Sequence, residues 1–535
     1  MSFKTRQKLT LIIIIITLLT ISTVATSTTT DLQTPSTENQ NENENSKTST
    51  SIIIFIGIII GAIILSNIHS ELNKHYIPES VVVIVYGVII GLITLPFRDT
   101  KYLEPILNYN PHLFFQFLLP IIIFETGVSL PKSDFFKNVG SILYMAIPGT
   151  LISFAGTSVV LWSFGQIGIS PKLPWREVLI LCAMGCATDP VATISIFKVL
   201  GVSPLLYIMV LGESILNDAI SLILSESVLE YTLSQIWKPI LYFLITFVCS
   251  TLIGVFVSLT LAVTLKYVHL HNHPICECIY VLVSAYLSHA IADSLHLSGI
   301  LSCFFGGMVM AQYTYILLSE DSKEIIVKIL RIYSFIAEII VFVYIGITLP
   351  QLHWVLSPLL ILWTIVFFVI TRAIAIFPAF YLSNRLKWTK ISTPIQIVLW
   401  FSGLRGALTY SESLEDILKF TPFYNQLQST LIILVYVTIG LFGIGTYPLL
   451  KYLDIQTDIP NQDDSNINVP PKLYYTFLKK VDVYIKYNLG IKILISPSLI
   501  NKSTTKNNEN DVDIEDEKLS KDSIDMECFT SNISE

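Results

Sequence analysis

Ionisable side chains interrupt long apolar stretches of this 535-residue chain at three places. The densest is the segment 212–221, which reads Gly-Glu-Ser-Ile-Leu-Asn-Asp-Ala-Ile-Ser. Its polar residues are three or four positions apart, so they share one face of an α-helix. They include Glu213, Ser214, Asn217 and Asp218. Two carboxylates and an amide on one face of an apolar helix indicate a site for protons or cations, whereas serines alone would indicate hydrogen bonding between helices.

The second place is a predicted helix break in the segment 186–191. Pro190 has no N–H, and its ring clashes with the carbonyl four residues earlier, so the helix should break near Cys186. Freed carbonyl oxygens beside Thr188 and Asp189 would be hard ligands, which suit a small cation. An ordinary proline kink is the alternative, but it gives no reason for a carboxylate at that depth.

The third place is the segment 400–407, in which two glycines flank an arginine. Gly403 and Gly406 permit an unwound stretch in the middle of an apolar run. Arg405 between them is the natural countercharge for Glu213, and such a pair would hold two parts of the fold together.

The elements that must position these residues are membrane helices. The chain is 52% hydrophobic and 14% charged, whereas average soluble domains carry about 25% charged residues. This composition argues against a nucleic-acid binder, a secreted mini-protein and a soluble enzyme. Apolar runs of the length that crosses a bilayer, about 20 residues, predict thirteen spans: 51–70, 77–95, 111–130, 139–165, 175–199, 203–230, 236–266, 274–294, 298–318, 325–349, 355–384, 393–418 and 427–452.

The predicted domain organisation follows from where the composition changes. Residues 1–25 have a basic start, an apolar run and small residues, which is the pattern of a signal peptide that is either cleaved or retained as a signal anchor. Residues 26–50 are polar and should be a disordered lumenal or extracellular segment. The membrane domain is predicted at 51–452, and 453–535 should be a short tail that is acidic and disordered after 500. The predicted inner loops are richer in Lys and Arg than the outer ones, which places the tail in the cytosol.

Proline or glycine is predicted to interrupt the third, fifth and twelfth spans. The fifth and twelfth are seven apart in order, so they cross the membrane in opposite directions. If spans one to six and eight to thirteen form two repeats, these spans are the fifth members of each. Paired interrupted helices at corresponding positions point to a transporter site. The predicted fold is therefore an all-α polytopic membrane protein of about thirteen helices, in two inverted repeats with two crossing broken helices.

At these motifs the chain resembles the eukaryotic sodium/proton exchanger family, a branch of the monovalent cation/proton antiporters. The most specific matches are Ala-Thr-Asp-Pro at 187–190 and Gly-Glu-Ser-x-Leu-Asn-Asp at 212–218. Further matches lie at 114–120 and 403–407, and the resemblance covers roughly residues 51–450. One departure is Ile121, where the family usually has a second proline.

The resemblance implies a dimer whose protomers each have a moving core domain, and it implies that Asp218 binds the cation and the proton. Asn217 stands where related electrogenic exchangers have a second aspartate, which implies electroneutral exchange. The residues predicted to bind the cation and the proton are Asp218, Asn217, Asp189, Thr188 and Ser214. The predicted supporting charges are Glu213, Arg405 and Glu338, and the predicted helix-break residues are Pro190, Gly403 and Gly406.

The predicted function is electroneutral antiport of Na⁺ or K⁺ for H⁺ by alternating access, which would regulate cytosolic or organellar pH and cation content. No enzyme activity, cofactor, further metal or nucleic-acid partner is expected. Membrane lipid surrounds the protein, and cytosolic regulators could bind the tail. The membrane is predicted to be the plasma membrane or an endosomal or Golgi membrane.

Two other functions use the same residues. A cation channel would need a repeated selectivity-filter loop, and the sequence has none. An intramembrane aspartyl protease could pair Asp189 with Asp218, but the Gly-x-Gly-Asp motif of that class is not present.

Overall fold

The computed structural model describes residues 40–72, 77–97, 109–189, 191–230, 237–268, 273–352, 354–385, 391–415 and 421–453. Within these ranges the regular structure is entirely helical, as the sequence predicts. The predicted signal peptide at 1–25 and the predicted tail beyond Leu453 lie outside the described residues. The first helix begins at Gln40, inside the segment 26–50 that the composition predicts to be disordered.

The described part of the chain contains fifteen helices. In order they are α1 (Gln40–Glu71), α2 (Glu79–Thr94), α3 (Pro111–Ser129), α4 (Asp134–Ile167), α5 (Trp175–Met184), α6 (Val191–Leu200), α7 (Pro204–Glu230), α8 (Trp237–Val268), α9 (Pro274–Ser294), α10 (Gly299–Leu317), α11 (Glu320–Gln351), α12 (Pro358–Arg385), α13 (Thr393–Phe401), α14 (Ala407–Ser413) and α15 (Tyr424–Tyr452).

Ten of the described helices are long and apolar enough to cross a membrane. The remaining ones are α2, which is shorter, and two pairs of half-length helices, α5 with α6 and α13 with α14. Thirteen crossings would require α2 and each pair to cross as well, so that number and the inverted repeat stay predictions. The fifth and twelfth predicted spans correspond to the two pairs.

The third predicted span is not broken at its proline. α3 runs continuously and contains a π-helical turn at Phe114–Leu118, directly before a segment that carries Pro120 in its first turn. Because a π-turn shifts the hydrogen-bonding register by one residue, the helix can accommodate the missing N–H without breaking.

α7 carries the polar stripe and is the most enclosed of the long helices. In the apolar 18-residue stretch of α7, 83% of the residues are buried, compared with 33% in the corresponding stretches of α1 and α8. α7 packs against α5, α4 and α8. The stripe therefore faces other helices, which is where ionisable groups at membrane depth are tolerated.

Candidate functional site

The two broken helices cross at their unwound segments. α5 ends at Met184 and α13 ends at Phe401, and the described residues that follow them, 185–189 and 402–406, are non-helical. The two segments contact each other directly, because the N–H of Asp189 donates to the carbonyl of Leu404 at 2.8 Å. This crossing agrees with the prediction. Pro190, the predicted cause of the first break, lies outside the described residues.

Asp189 accepts hydrogen bonds from the amino ends of both second half-helices. Its Oδ1 accepts from the N–H of Val191 at 2.9 Å, and its Oδ2 accepts from the N–H of Ala407 at 3.2 Å. Helix amino ends carry unpaired N–H groups and a partial positive charge, which a carboxylate compensates. Asp189 therefore connects the two broken helices, and both of its oxygens are engaged.

Arg405 compensates the carboxyl end of α5, on the other side of the first break. Its Nη1 donates to the carbonyls of Cys186 and, at 3.0 Å, Ala187, just beyond the end of α5. The guanidinium carbon also lies 4.7 Å from the centroid of the Phe368 ring. The carboxyl end of a helix carries partial negative charge, so Arg405 and Asp189 neutralise the two sides of the break.

The direct partner of Glu213 is Arg372, and the predicted pairing of Glu213 with Arg405 was wrong. Arg372 donates from Nη1 and Nη2 to the two carboxylate oxygens, each at 2.9 Å. It also donates to the carbonyls of Leu399 at 3.0 Å and Trp400 at 3.2 Å. Glu213 is 4% exposed and Arg372 is 8% exposed. A guanidinium that binds a carboxylate through two N–H groups still has other N–H groups to donate. Those of Arg372 bond to the end of α13, so the pair joins α7, α12 and α13.

Sequence reasoning missed Arg372, although a signal was present. It is a single arginine inside the predicted apolar span 355–384. The rule that singled out the other buried charges, the cost of an ionisable group at membrane depth, applies to it equally.

Asn217 and Ser214 attach the unwound segment to α7. The Asn217 amide donates to the carbonyl of Cys186 and to Thr188 Oγ1, each at 3.1 Å, and its oxygen accepts from Thr150 Oγ1 at 2.8 Å. Ser214 Oγ donates to the carbonyl of Thr188. These predicted site residues do come together, and their hydrogen bonds hold the backbone of the break in place.

The carbonyl oxygens at the first break, predicted to be freed, accept hydrogen bonds. Ser221 donates to Ala183 at 2.6 Å and Thr409 donates to Met184 at 3.1 Å. The carbonyls of 186–188 accept from Arg405, Asn217 and Ser214. Satisfying these carbonyls is what permits irregular backbone at membrane depth.

Asp218 differs from the other carboxylates at the crossing. Its Oδ1 is shielded from solvent and accepts no hydrogen bond from the part of the chain that the structure describes. The residue as a whole is half-buried, and its charge interacts with those of Asp189, Glu213 and Arg405. A buried polar atom without a partner costs about 1–3 kcal/mol, which a bound proton or cation would offset.

Glu338 lies elsewhere. It is half-buried on α11, the helix that packs against α2, rather than on one of the broken helices.

A cavity of about 490 Å³ adjoins α7 beyond Asp218. The lining residues of α7 are Leu222, Ile223, Ser225, Glu226 and Leu229. The first of them is four positions after Asp218, one helical turn, so the cavity reaches the neighbourhood of the site from the carboxyl end of α7.

The glycines of the second break are required by close approach. A Cβ at Gly406 would overlap the Asp189 carboxylate, and one at Gly403 would overlap the Arg372 side chain. Neither glycine is among the described residues with positive φ. Glycine is needed at both positions because there is no space for a Cβ, and not because the backbone is left-handed.

We therefore expect Gly406→Ala to destabilise the protein by about 1–3 kcal/mol, because the added methyl must displace Asp189. Thermal denaturation of the detergent-solubilised protein measures the change. Gly140→Ala is the control, since a Cβ at Gly140 has no neighbour within 4 Å and alanine favours the helix by up to about 1 kcal/mol. Equal melting temperatures for the two variants would contradict this reason for Gly406.

Comparisons with known proteins point to one family. Residues 58–452 match the family described as "Sodium/hydrogen exchanger, transmembrane". Sodium/hydrogen exchanger 1 of Dictyostelium discoideum is 37% identical over 78% of this chain and 62% of its own length. Sodium/hydrogen exchanger 8 of Homo sapiens is 34% identical over 78% of this chain and 75% of its own length. The endosomal/prevacuolar sodium/hydrogen exchanger of Saccharomyces cerevisiae is 31% identical over 76% of this chain and 68% of its own length.

A solved structure has a similar fold. It is the sodium proton antiporter MjNhaP1 of Methanocaldococcus jannaschii, with a TM-score of 0.56 at 18% identity. The similarity covers 76% of this chain and 99% of the antiporter chain.

Proposed function

Because this chain belongs to the sodium/hydrogen exchanger family and is a multi-pass integral membrane protein, we propose that it exchanges Na⁺ or K⁺ for H⁺ across a membrane. The observation that carries the proposal is the state of Asp218. At a crossing where the other charged groups are compensated, its carboxylate keeps a shielded oxygen that accepts no hydrogen bond from the described residues. A proton or a cation can satisfy that oxygen.

Competition between the two ions would produce the coupling. A carboxylate holds a proton covalently or a cation electrostatically, and binding one displaces the other. Alternating access, with one group of helices moving relative to another, would expose Asp218 to each side of the membrane in turn. The cavity beside α7 supports access from one side.

The fixed charges at the crossing support electroneutral exchange. Glu213 is paired with Arg372, Asp189 and Arg405 are each bonded to backbone groups of the broken helices, and the neighbouring Asn217 is a neutral amide. If only Asp218 changes its bound ion, one positive charge moves in each direction per cycle. The membrane voltage then contributes nothing, whereas one net charge would gain about 2.3 kcal/mol per 100 mV.

The arrangement disfavours the two rival functions. In the described residues Asp189 already accepts two backbone hydrogen bonds, so it is badly placed to share a proton with Asp218, as an aspartyl protease requires. A channel would need a continuous open path, while the site lies among packed helices. We therefore propose transport without enzymatic catalysis.

The cellular setting is also proposed. Regulation of cytosolic or organellar pH and cation content would follow from the exchange itself. The endosomal/prevacuolar relative supports an endosomal or Golgi membrane, with the plasma membrane as the alternative. A homodimer, a cytosolic carboxyl terminus and regulators that bind the tail are further parts of the proposal.

Reconstitution into proteoliposomes tests the exchange. An outward tenfold Na⁺ gradient supplies about 1.4 kcal/mol, so we expect it to sustain a pH difference of about one unit. A parallel K⁺ gradient determines which cation is accepted. Recording on a solid-supported membrane should give no sustained current while a pH dye reports proton movement. Passage of Na⁺ without obligatory proton counter-movement would instead identify a channel.

A further inference from the structure

A second buried carboxylate, Glu412, is not among the residues on which the proposed exchange at Asp218 was argued. It lies on α14 and is 0% exposed. Its Oε1 accepts from Ser225 Oγ at 3.1 Å, whereas no described residue donates to its Oε2. Sequence reasoning missed Glu412, although it lies inside the predicted span 393–418 and meets the same rule for buried charge.

Glu412 is connected to the cavity beside α7 by a hydrogen bond. Its hydrogen-bond partner Ser225 lines that cavity and follows Asp218 by seven positions, so the two share a face of α7 about 10 Å apart. The charge of Glu412 interacts with those of Asp218, Glu226 and Glu415.

The cavity itself suits cations. At about 490 Å³ it can hold several waters, each of which occupies about 30 Å³. Among the described residues that line it, three are acidic and none is Lys or Arg: Glu226, Asp293 and Glu415. Clefts lined by one sign of charge concentrate counter-ions, so this cavity is an acidic vestibule that would attract cations. Glu412 is connected to its wall through the hydrogen bond from Ser225.

A structural role would leave a different pattern of hydrogen bonds. Asp189 holds the crossing together, and each of its oxygens accepts a backbone hydrogen bond. Glu412 makes one hydrogen bond to a serine hydroxyl and keeps the other oxygen free of described donors. An open carboxylate oxygen in a buried position is a place for a proton or a cation.

We propose that Glu412 is a second binding carboxylate for protons and monovalent cations, which pass over it between the acidic vestibule and Asp218. This inference rests on the proposed exchange at Asp218 and adds a residue to its ion pathway.

Transport by Glu412→Gln tests the pathway. The amide can keep the bond from Ser225 but cannot carry charge or bind a proton. In proteoliposomes we expect about a tenfold higher cation concentration for half-maximal exchange and a flatter pH profile, with Glu412→Asp close to wild type. Glu177→Gln is the matched control. Glu177 is also a buried glutamate with an oxygen that lacks a described donor, but no described hydrogen bond connects it to a residue that lines the cavity.

A binding measurement separates this inference from the proposed exchange. In detergent, Na⁺ should still raise the melting temperature of Asp218→Asn, because a ligand stabilises the state that binds it. The double variant Asp218→Asn/Glu412→Gln should lose that rise. The inference is overturned if the two variants respond equally to Na⁺, or if Glu412→Gln matches wild type in half-saturation and pH profile. Absence of exchange in wild type would instead contradict the proposed function.

Discussion

Replacing Asp218 with asparagine is expected to lower cation-driven proton movement by about a hundredfold or more. Asparagine has nearly the same shape but cannot be charged or protonated near neutral pH. A loss of about 2.7 kcal/mol of ion stabilisation is already sufficient for that factor. The initial rate of pH change in proteoliposomes, under equal Na⁺ or K⁺ gradients, measures the effect.

The stability of the same variant provides a check on the cause. An uncharged amide is less costly than a carboxylate at membrane depth, so Asp218→Asn should be at least as heat-stable as wild type. Asp321→Asn removes an identical charge from an exposed position and should leave the rate unchanged. Cation-driven proton movement that survives in Asp218→Asn would refute the assignment of Asp218.

Replacing Arg372 with leucine is expected to destabilise the protein by about 3–5 kcal/mol, the usual cost of removing one partner from a buried ion pair. Glu213 would be left charged and unpaired, and the carbonyls of Leu399 and Trp400 would each lose a donor. Thermal denaturation of the detergent-solubilised protein measures the loss. The double variant Glu213→Gln/Arg372→Gln should recover part of it, because no unpaired charge remains.

An exposed ion pair provides the comparison. Lys137 and Asp134 lie 3.1 Å apart, with side chains 58% and 41% exposed, and such pairs contribute at most about 1 kcal/mol. Lys137→Ala should therefore change the melting temperature little. If Arg372→Leu were no less stable than Lys137→Ala, the pair with Glu213 would not be the structural link inferred here.

The predicted elements and the observed ones agree where the signal is local. The span predicted at 203–230 is α7, Pro204–Glu230. A long apolar run whose polar residues recur at helical spacing predicts one continuous helix with one polar face. The spans predicted at 175–199 and 393–418 are each two half-helices, and their breaks fall at the predicted motifs. The predicted break in the third span was wrong, since a π-turn accommodates Pro120 without a break.

The sequence by itself determined the membrane class, the family, the two breaks and some of the buried charges, because length, hydropathy and helical spacing are properties of neighbouring residues. Only the tertiary structure decided which charges meet. Arg372 reaches Glu213 across 159 positions and Arg405 reaches Cys186 across 219, and no local periodicity specifies contacts at such separations. Those pairings decide the site, because they compensate every charge at the crossing except Asp218 and leave Glu412 open beside the vestibule.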